Sequence, residues 1–276
     1  TAAGFRQEWK ELTFPIVADR SKGSSIWDID GNRFVDLVNG FGQTAFGHSP
    51  DFVVEAVTKQ MEKGFPIGPQ ADLAGPVAEK FARWVGHERV TFCNTGSEAV
   101  MAAMRVARTV TGRDLVVVFD RDYHGQFDEV LVKGRTKPGD PRPLPIAPGI
   151  PRSGLTNMVV LKYGDPSALD WVRENAEDVA AVIVEPVAAN MGVVAPVGGF
   201  LEGLRAECDR VGALLIFDEV ITGFGRSGDW TGSRHWGVKP DMMTCAKGIT
   251  SGYFPVGATL LGEKVADVFE NSGPEG

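Results

Sequence analysis

Residues 214–226 read LLIFDEVITGFGR, and the reading turns on the first half: four apolar residues run without interruption and end on Asp218 and Glu219. Such a run reads as a strand buried on both faces, the kind found in a parallel sheet covered by helices. In an open α/β sheet, ligands bind at the carboxyl ends of the strands. A carboxylate placed there leaves water and needs a cationic or protonated partner to keep its charge. Asp218 either meets such a partner or caps the next element, and the run alone leaves both readings open.

The same pattern repeats outward in both directions. Residues 89–93, 115–119, 158–161, 180–184, 213–217, 242–245 and 256–261 are short apolar runs that predict strands. Between them, residues 98–109, 167–175 and 200–211 carry apolar positions three or four apart, which predicts helices. The fold class is α/β, a mostly parallel sheet flanked by helices, and the large domain spans 71–276. Residues 1–70 form an N-terminal arm, with a hairpin over 25–37 turning at Asp30-Gly31-Asn32 and a helix over 50–64. A further helix over 71–85 leads into the sheet. Residues 134–151 are a Pro/Gly-rich loop, a length that in compact domains is often functional, disorder being the plain alternative, and no internal repeat is visible.

Composition narrows the partners. A formal charge of −8 with no basic stretch argues against nucleic acid, and no apolar run approaches membrane-spanning length. Small molecules are the expected partners. Cys93, Cys208 and Cys245 lie far apart without a CxxC pair, which suits a reducing cytoplasm better than a disulfide framework or a zinc site. The start TAAGFRQEWK has no signal-peptide pattern, and the missing initiator Met suggests an excised or trimmed domain.

Four further stretches carry chemistry. In PDMMTCAKGITSG a strand runs straight into Lys247; burial would lower its pKa and make it a nucleophile toward an aldehyde, while alone it reads as a solvated loop residue. In FCNTGSEAV a strand turns through Asn94, Thr95, Gly96 and Ser97 into a helix whose free N–H groups suit a phosphate, although Ser97 could equally be a plain helix cap. Tyr123-His124-Gly125 follows the strand LVVVF, where an aromatic ring could stack on a planar group or simply pack. Val184-Glu185-Pro186 puts one more carboxylate at a strand end. Neither GxGxxG nor GxxxxGK[ST] occurs at the strand-to-helix turn Asn94 to Ser97, so a NAD-dependent dehydrogenase lacks its fingerprint there.

These pieces, in this order, resemble the class III aminotransferases of pyridoxal-phosphate (PLP) fold type I, a family that includes ω-transaminases and glutamate-1-semialdehyde aminomutase. The resemblance runs from IWDIDGNRFVDLVNGFG and FGHSP through IFDEVITGFGRSG to AKGITSGYFPVGA. It implies pyridoxal 5'-phosphate as cofactor, Lys247 as the Schiff-base lysine and Asp218 as partner of the pyridine nitrogen. Val220 and Tyr123 would pack on the two ring faces, and Gly96 and Ser97 would hold the phosphate. Glu185 would sit near the substrate side, His124 close to the ring without a settled role, and Phe41, from NGFG, in the substrate channel.

The implied activity is transfer of an amino group between an amine or amino acid and a carbonyl acceptor by a homodimer. Other readings are an aminomutase, an aminotransferase domain of a peptide or polyketide synthase, suggested by EWKELTFP to GPQADLAGP, and a catalytically silent PLP-fold protein. Family members are longer, and this chain ends, at NSGPEG, before their C-terminal small domain.

Overall fold

The computed structural model describes residues 15–66, 68–137 and 139–272, together with Glu8. The chain divides into two compact units, Thr1–Ala71 with Ser251–Tyr253, and Asp72–Thr250 with Phe254–Gly276.

In the first unit, β1 (Ala18–Lys22), β2 (Ser25–Asp28) and β3 (Arg33–Val35) form an antiparallel sheet. The turn between β2 and β3 is held by Asp28, whose Oδ1 accepts from the backbone N–H of Asp30 at 3.0 Å and of Asn32 at 2.8 Å. The expected hairpin is therefore present, with one strand more. Helix α1 (Asp51–Lys63) follows, and residues 251–253 join the unit through Ser251, whose Oγ accepts from Ala45 N at 2.6 Å.

The second unit is built on a seven-stranded sheet. Its strands are β4 (Arg89–Cys93), β5 (Leu115–Phe119), β8 (Met158–Leu161), β9 (Val179–Val184), β10 (Leu214–Asp218), β11 (Met242–Cys245) and β12 (Gly257–Leu261), in spatial order β4-β12-β11-β10-β9-β5-β8. All seven coincide with the expected runs to within one residue. Strands β8, β5, β9, β10 and β11 are parallel, whereas β12 is antiparallel to both β11 and β4. The reversal has a local cause: no crossover helix separates β11 from β12, and a parallel return would need one. Two antiparallel steps restore direction, so β4 runs parallel to β11.

Alternation within each strand sorts the core onto two faces. Val116, Val118, Ile183, Leu214 and Ile216 face one way and pack with Val100, Ala103 and Met104 of α3 (Gly96–Thr111). Val117, Phe119, Val182, Leu215 and Phe217 face the other and pack against α4 (Pro166–Glu174) and α5 (Phe200–Val211). Burial on both faces is why these strands read as unbroken apolar runs. The Pro/Gly-rich loop is not wholly irregular, since Leu144–Pro145 (β7) pairs with Val132–Lys133 (β6). The remaining helices are α2 (Ala74–Val85), α6 (Gly232–Trp236) and α7 (Glu263–Asn271).

Candidate functional site

Because β4, β5, β9, β10 and β11 run in one direction, the residues that end or follow each of them arrive at one edge of the sheet. Those residues are Gly96 and Ser97, Tyr123 and His124, Glu185, Asp218 and Lys247. Eight of the nine residues singled out in the sequence, Val220 included, belong to this unit. Phe41 belongs to the first unit, where it is exposed.

Asp218 closes β10 and is buried. Its Oδ1 accepts from Val220 N at 3.1 Å and from the Thr244 hydroxyl at 3.2 Å; Thr244 is the register partner of Asp218 on β11. Its Oδ2 lies 2.8 Å from His124 Nδ1. His124 is fully buried, which by itself would disfavour its charge, yet the hydrogen bond and charge of Asp218, helped by Asp122 and Glu185, push its pKa up to about 9. A carboxylate offers about four acceptor positions and three are taken, so Asp218 can accept one more N–H.

Lys247 lies two residues past β11 and begins a single 3₁₀ turn, Lys247–Ile249. Its φ of 44° is left-handed, unusual for a lysine and found where the surroundings over-determine the backbone. Burial lowers its pKa, against the opposing charges of Asp218 and Glu185. A larger fraction of neutral amine is the chemical consequence.

At the head of α3, Thr95 is the cap: its Oγ1 accepts from Glu98 N at 3.1 Å, and Glu98 Oε2 accepts from Thr95 N at 2.9 Å. This capping box frees Ser97 from the capping role the sequence left open. Ser97 Oγ instead accepts from Gln126 N at 3.0 Å, and a Cβ on Gly125 would lie 2.7 Å from that oxygen with φ at 130°. Gly96 is equally confined, since a Cβ there would sit 3.1 Å from Val220 Cγ2 and 3.3 Å from Ala246 Cβ. As the first two residues of α3, Gly96 and Ser97 have no intrahelical acceptor for their backbone N–H groups.

Two glutamates do structural work that spacing did not reveal. Glu185 accepts from Tyr123 N at 3.0 Å and from Ala189 N at 3.3 Å, so it fixes the backbone that carries Tyr123. Its pKa is raised by burial and by the charge of Asp218. Glu219, wholly buried, accepts from Gly232 N at 2.8 Å, Ser233 N at 2.7 Å and the Thr222 hydroxyl, binding the loop after β10 to the start of α6. Thr244 and Asp122 were also missed. Thr244 stands inside the quoted PDMMTCAKG strand and Asp122 just before Tyr123, yet only the register of β11 and a turn after β5 bring them to the site.

Comparison with known proteins gives a consistent family. A family model described as aminotransferase class-III matches residues 7–276. Glutamate-1-semialdehyde 2,1-aminomutase 2 of Bacillus licheniformis is 43% identical over 264 residues, covering 95% of this chain and 60% of the relative. An omega-transaminase from Sphaerobacter thermophilus superposes with a TM-score of 0.85 at 33% identity, over 94% of this chain and 60% of that one. A transaminase solved with PLP bound gives 0.85 at 30% identity, over 94% and 60%. The chain thus spans about 60% of the length of the relatives it matches. Among the described residues no helix is long and apolar enough to cross a membrane.

Proposed function

We propose that this chain, which belongs to the class-III aminotransferase family, binds pyridoxal 5'-phosphate at the strand ends and exchanges an amino group between an amine or amino acid and a carbonyl acceptor. The observation that carries the reading is the meeting of a lysine of lowered pKa with a buried, His-bonded carboxylate at the carboxyl edge of a mostly parallel sheet.

The residues fit the cofactor. Asp218 has an acceptor position left for a ring N–H. The Gly96 and Ser97 N–H groups at the start of α3 suit a phosphate, helped by the helix dipole. Val220, packed against Gly96, and Tyr123, held by Glu185, are the side chains offered to the two faces of a planar ring. Bound there, PLP supplies a conjugated ring that spreads the charge left when a proton leaves the substrate carbon. Asp218 would keep the ring nitrogen protonated. Lys247 Nζ would hold the cofactor and, as a free neutral amine, would take and return that proton from close range.

A second reading, an aminomutase that keeps both halves of the exchange on one substrate, is favoured by the aminomutase relative at 43% identity. Adding a keto acid separates the two, since only a transferase converts it to an amino acid. We further assign residues 71–276 to the cofactor domain and 1–70 to an arm. A cytoplasmic homodimer is supported by three free cysteines and by exposed Leu37, Val38, Phe41, Phe46 and Phe52, apolar side chains of the kind found at interfaces.

The test is reduction with borohydride in the presence of PLP, followed by peptide mapping. A stable adduct on Lys247 that is lost in Lys247→Ala, together with loss of turnover in that variant, is expected. Labelling scattered over surface lysines sinks the reading.

A further inference from the structure

Asp122 is the least explained polar group among the described residues. Its backbone N–H donates to Phe119 O at 3.1 Å, and the intervening Arg121, at a left-handed φ of 72°, turns the following side chain inward. The carboxyl is 0% exposed, and neither oxygen has a hydrogen bond of normal geometry, the Glu185 backbone approaching only loosely. A buried carboxyl that served packing alone would be hydrogen-bonded or replaced by an apolar group.

What it faces is His124. Nε2 of that imidazole lies 3.7 Å from Asp122 Oδ2 and is likewise buried without a hydrogen bond, while Nδ1 is 2.8 Å from Asp218 Oδ2. The ring therefore stands between two carboxylates. Both acceptor positions on Asp218 Oδ1 are filled by Val220 N and Thr244, so by count the open one is on Oδ2, the oxygen that His124 holds. A charged donor pulls on an acceptor about twice as hard as a neutral one, so the charge on His124 decides how basic that oxygen is.

We propose that Asp122 is a positioning residue: by facing His124 Nε2 it keeps the imidazole doubly protonated, and so sets how strongly Asp218 holds the ring nitrogen of the cofactor. This rests on the reading of the strand ends as a PLP site. With both aspartates ionised and His124 charged, the trio carries one net negative charge. Removing the Asp122 charge leaves burial to drive the proton off Nε2, while Nδ1–H stays on the Asp218 side. Net charge is unchanged, but the positive charge beside Asp218 is gone.

The surrounding groups agree. Burial raises the Asp122 carboxyl to about 7, with His124 opposing and Glu185 and Asp218 adding to the rise. His124, despite burial, is raised to about 9. Between those values Asp122 is ionised and His124 still charged. Lys247 faces Asp218 and Glu185. Tyr163, pushed up by burial and by both Asp122 and Glu185, donates its hydroxyl hydrogen to Pro186 O and stays neutral.

The experiment follows the ring nitrogens of the four histidines by ¹⁵N NMR against pH, on the chain without PLP. In the wild type His124 is expected to be doubly protonated at about pH 8, and in Asp122→Asn its midpoint is expected to fall by at least about one pH unit, a tenfold change in proton affinity. A neutral His124 in the wild type at that pH, or an unmoved midpoint in the variant, overturns the proposal. The wild-type measurement needs no variant and so decides even if Asp122→Asn fails to fold. With PLP added, the pH midpoint of the visible absorbance is expected to move up in Asp122→Asn, because an imidazolium is lost beside Asp218. An unmoved midpoint alongside a moved His124 titration overturns the link to Asp218. Absence of any visible band in the wild type breaks the cofactor reading alone, and the histidine titration still decides whether Asp122 charges His124.

Discussion

Two of the regions where carboxylates and cations meet give opposite results. On the outer faces of α4 and α5, Glu207 lies between Arg173, 2.5 Å from Oε1, and Arg210, whose Nε is 2.8 Å from Oε2. Arg173 first and Arg210 second hold the Glu207 carboxyl below its ordinary range. At the strand ends, Asp122, Glu185 and Glu219 all shift the other way, burial being the largest cause in each case, and Lys247 is lowered by the same cause. The pairing chemistry is alike in both regions. What differs is water: solvated partners stabilise each other's charged forms, whereas buried groups resist ionising unless a specific neighbour compensates. A region that holds several such groups at once is the stronger candidate for chemistry.

Substitutions can break this contrast, the largest effect coming from Asp218, the proposed partner of the cofactor's ring nitrogen. Asp218→Asn is expected to slow the loss of visible absorbance on adding an amine donor by about 10²–10³-fold, the range seen when a preorganised electrostatic partner is removed, with PLP still bound. A rate within a few-fold of wild type would remove Asp218 from the mechanism. Glu219→Gln puts an NH₂ among three donors and is expected to cost about 1–3 kcal/mol in chemical denaturation, because at least one buried donor loses its acceptor.

The pH dependence sharpens the contrast further. Asp122 has a folded-state pKa raised from 3.8 to about 7, so the stability it confers is fully present below 3.8 and is lost as pH rises through about 7. Relative to the uncharged Asp122→Asn variant, the wild type should lose stability across that window, which denaturant midpoints at several pH values would measure. Glu207 has the opposite sign: its lowered pKa contributes stability above its ordinary 4.5 that is lost as pH falls. Its partners being partly solvated, Glu207→Gln is expected to cost at most about 1 kcal/mol, diminishing with added salt. This is the smallest effect, and a large salt-insensitive loss would contradict the contrast.

Much of this was legible beforehand because of the same burial. A strand covered on both faces must be apolar at every position, so β5, β9 and β10 stood out as runs, and a polar residue ending such a run, like Asp218 or Glu185, stood out against it. Caps were legible where a capping box exists, although Thr95 and Ser97 could not be told apart until Glu98 was seen to reach back. Asp122 and Thr244 were not legible, since an Asp after a strand usually marks a turn and a Thr in a strand usually marks nothing. The contacts that matter to them run from Asp122 to His124 and from Thr244 to Asp218 on the neighbouring strand, and no local spacing encodes either.

The amino-acid sequence by itself determined the α/β class, the positions of the sheet strands, the resemblance to the class-III aminotransferases and the pairing of Lys247 with Asp218 as candidates, because apolar patterning and short motifs are local. Only the tertiary structure decided that β12 runs against its neighbours, that five strands bring their following residues to one edge, and that His124 stands between two buried carboxylates. Strand order, register and burial depend on contacts between residues far apart in the chain, and it is burial that sets the charge of each group.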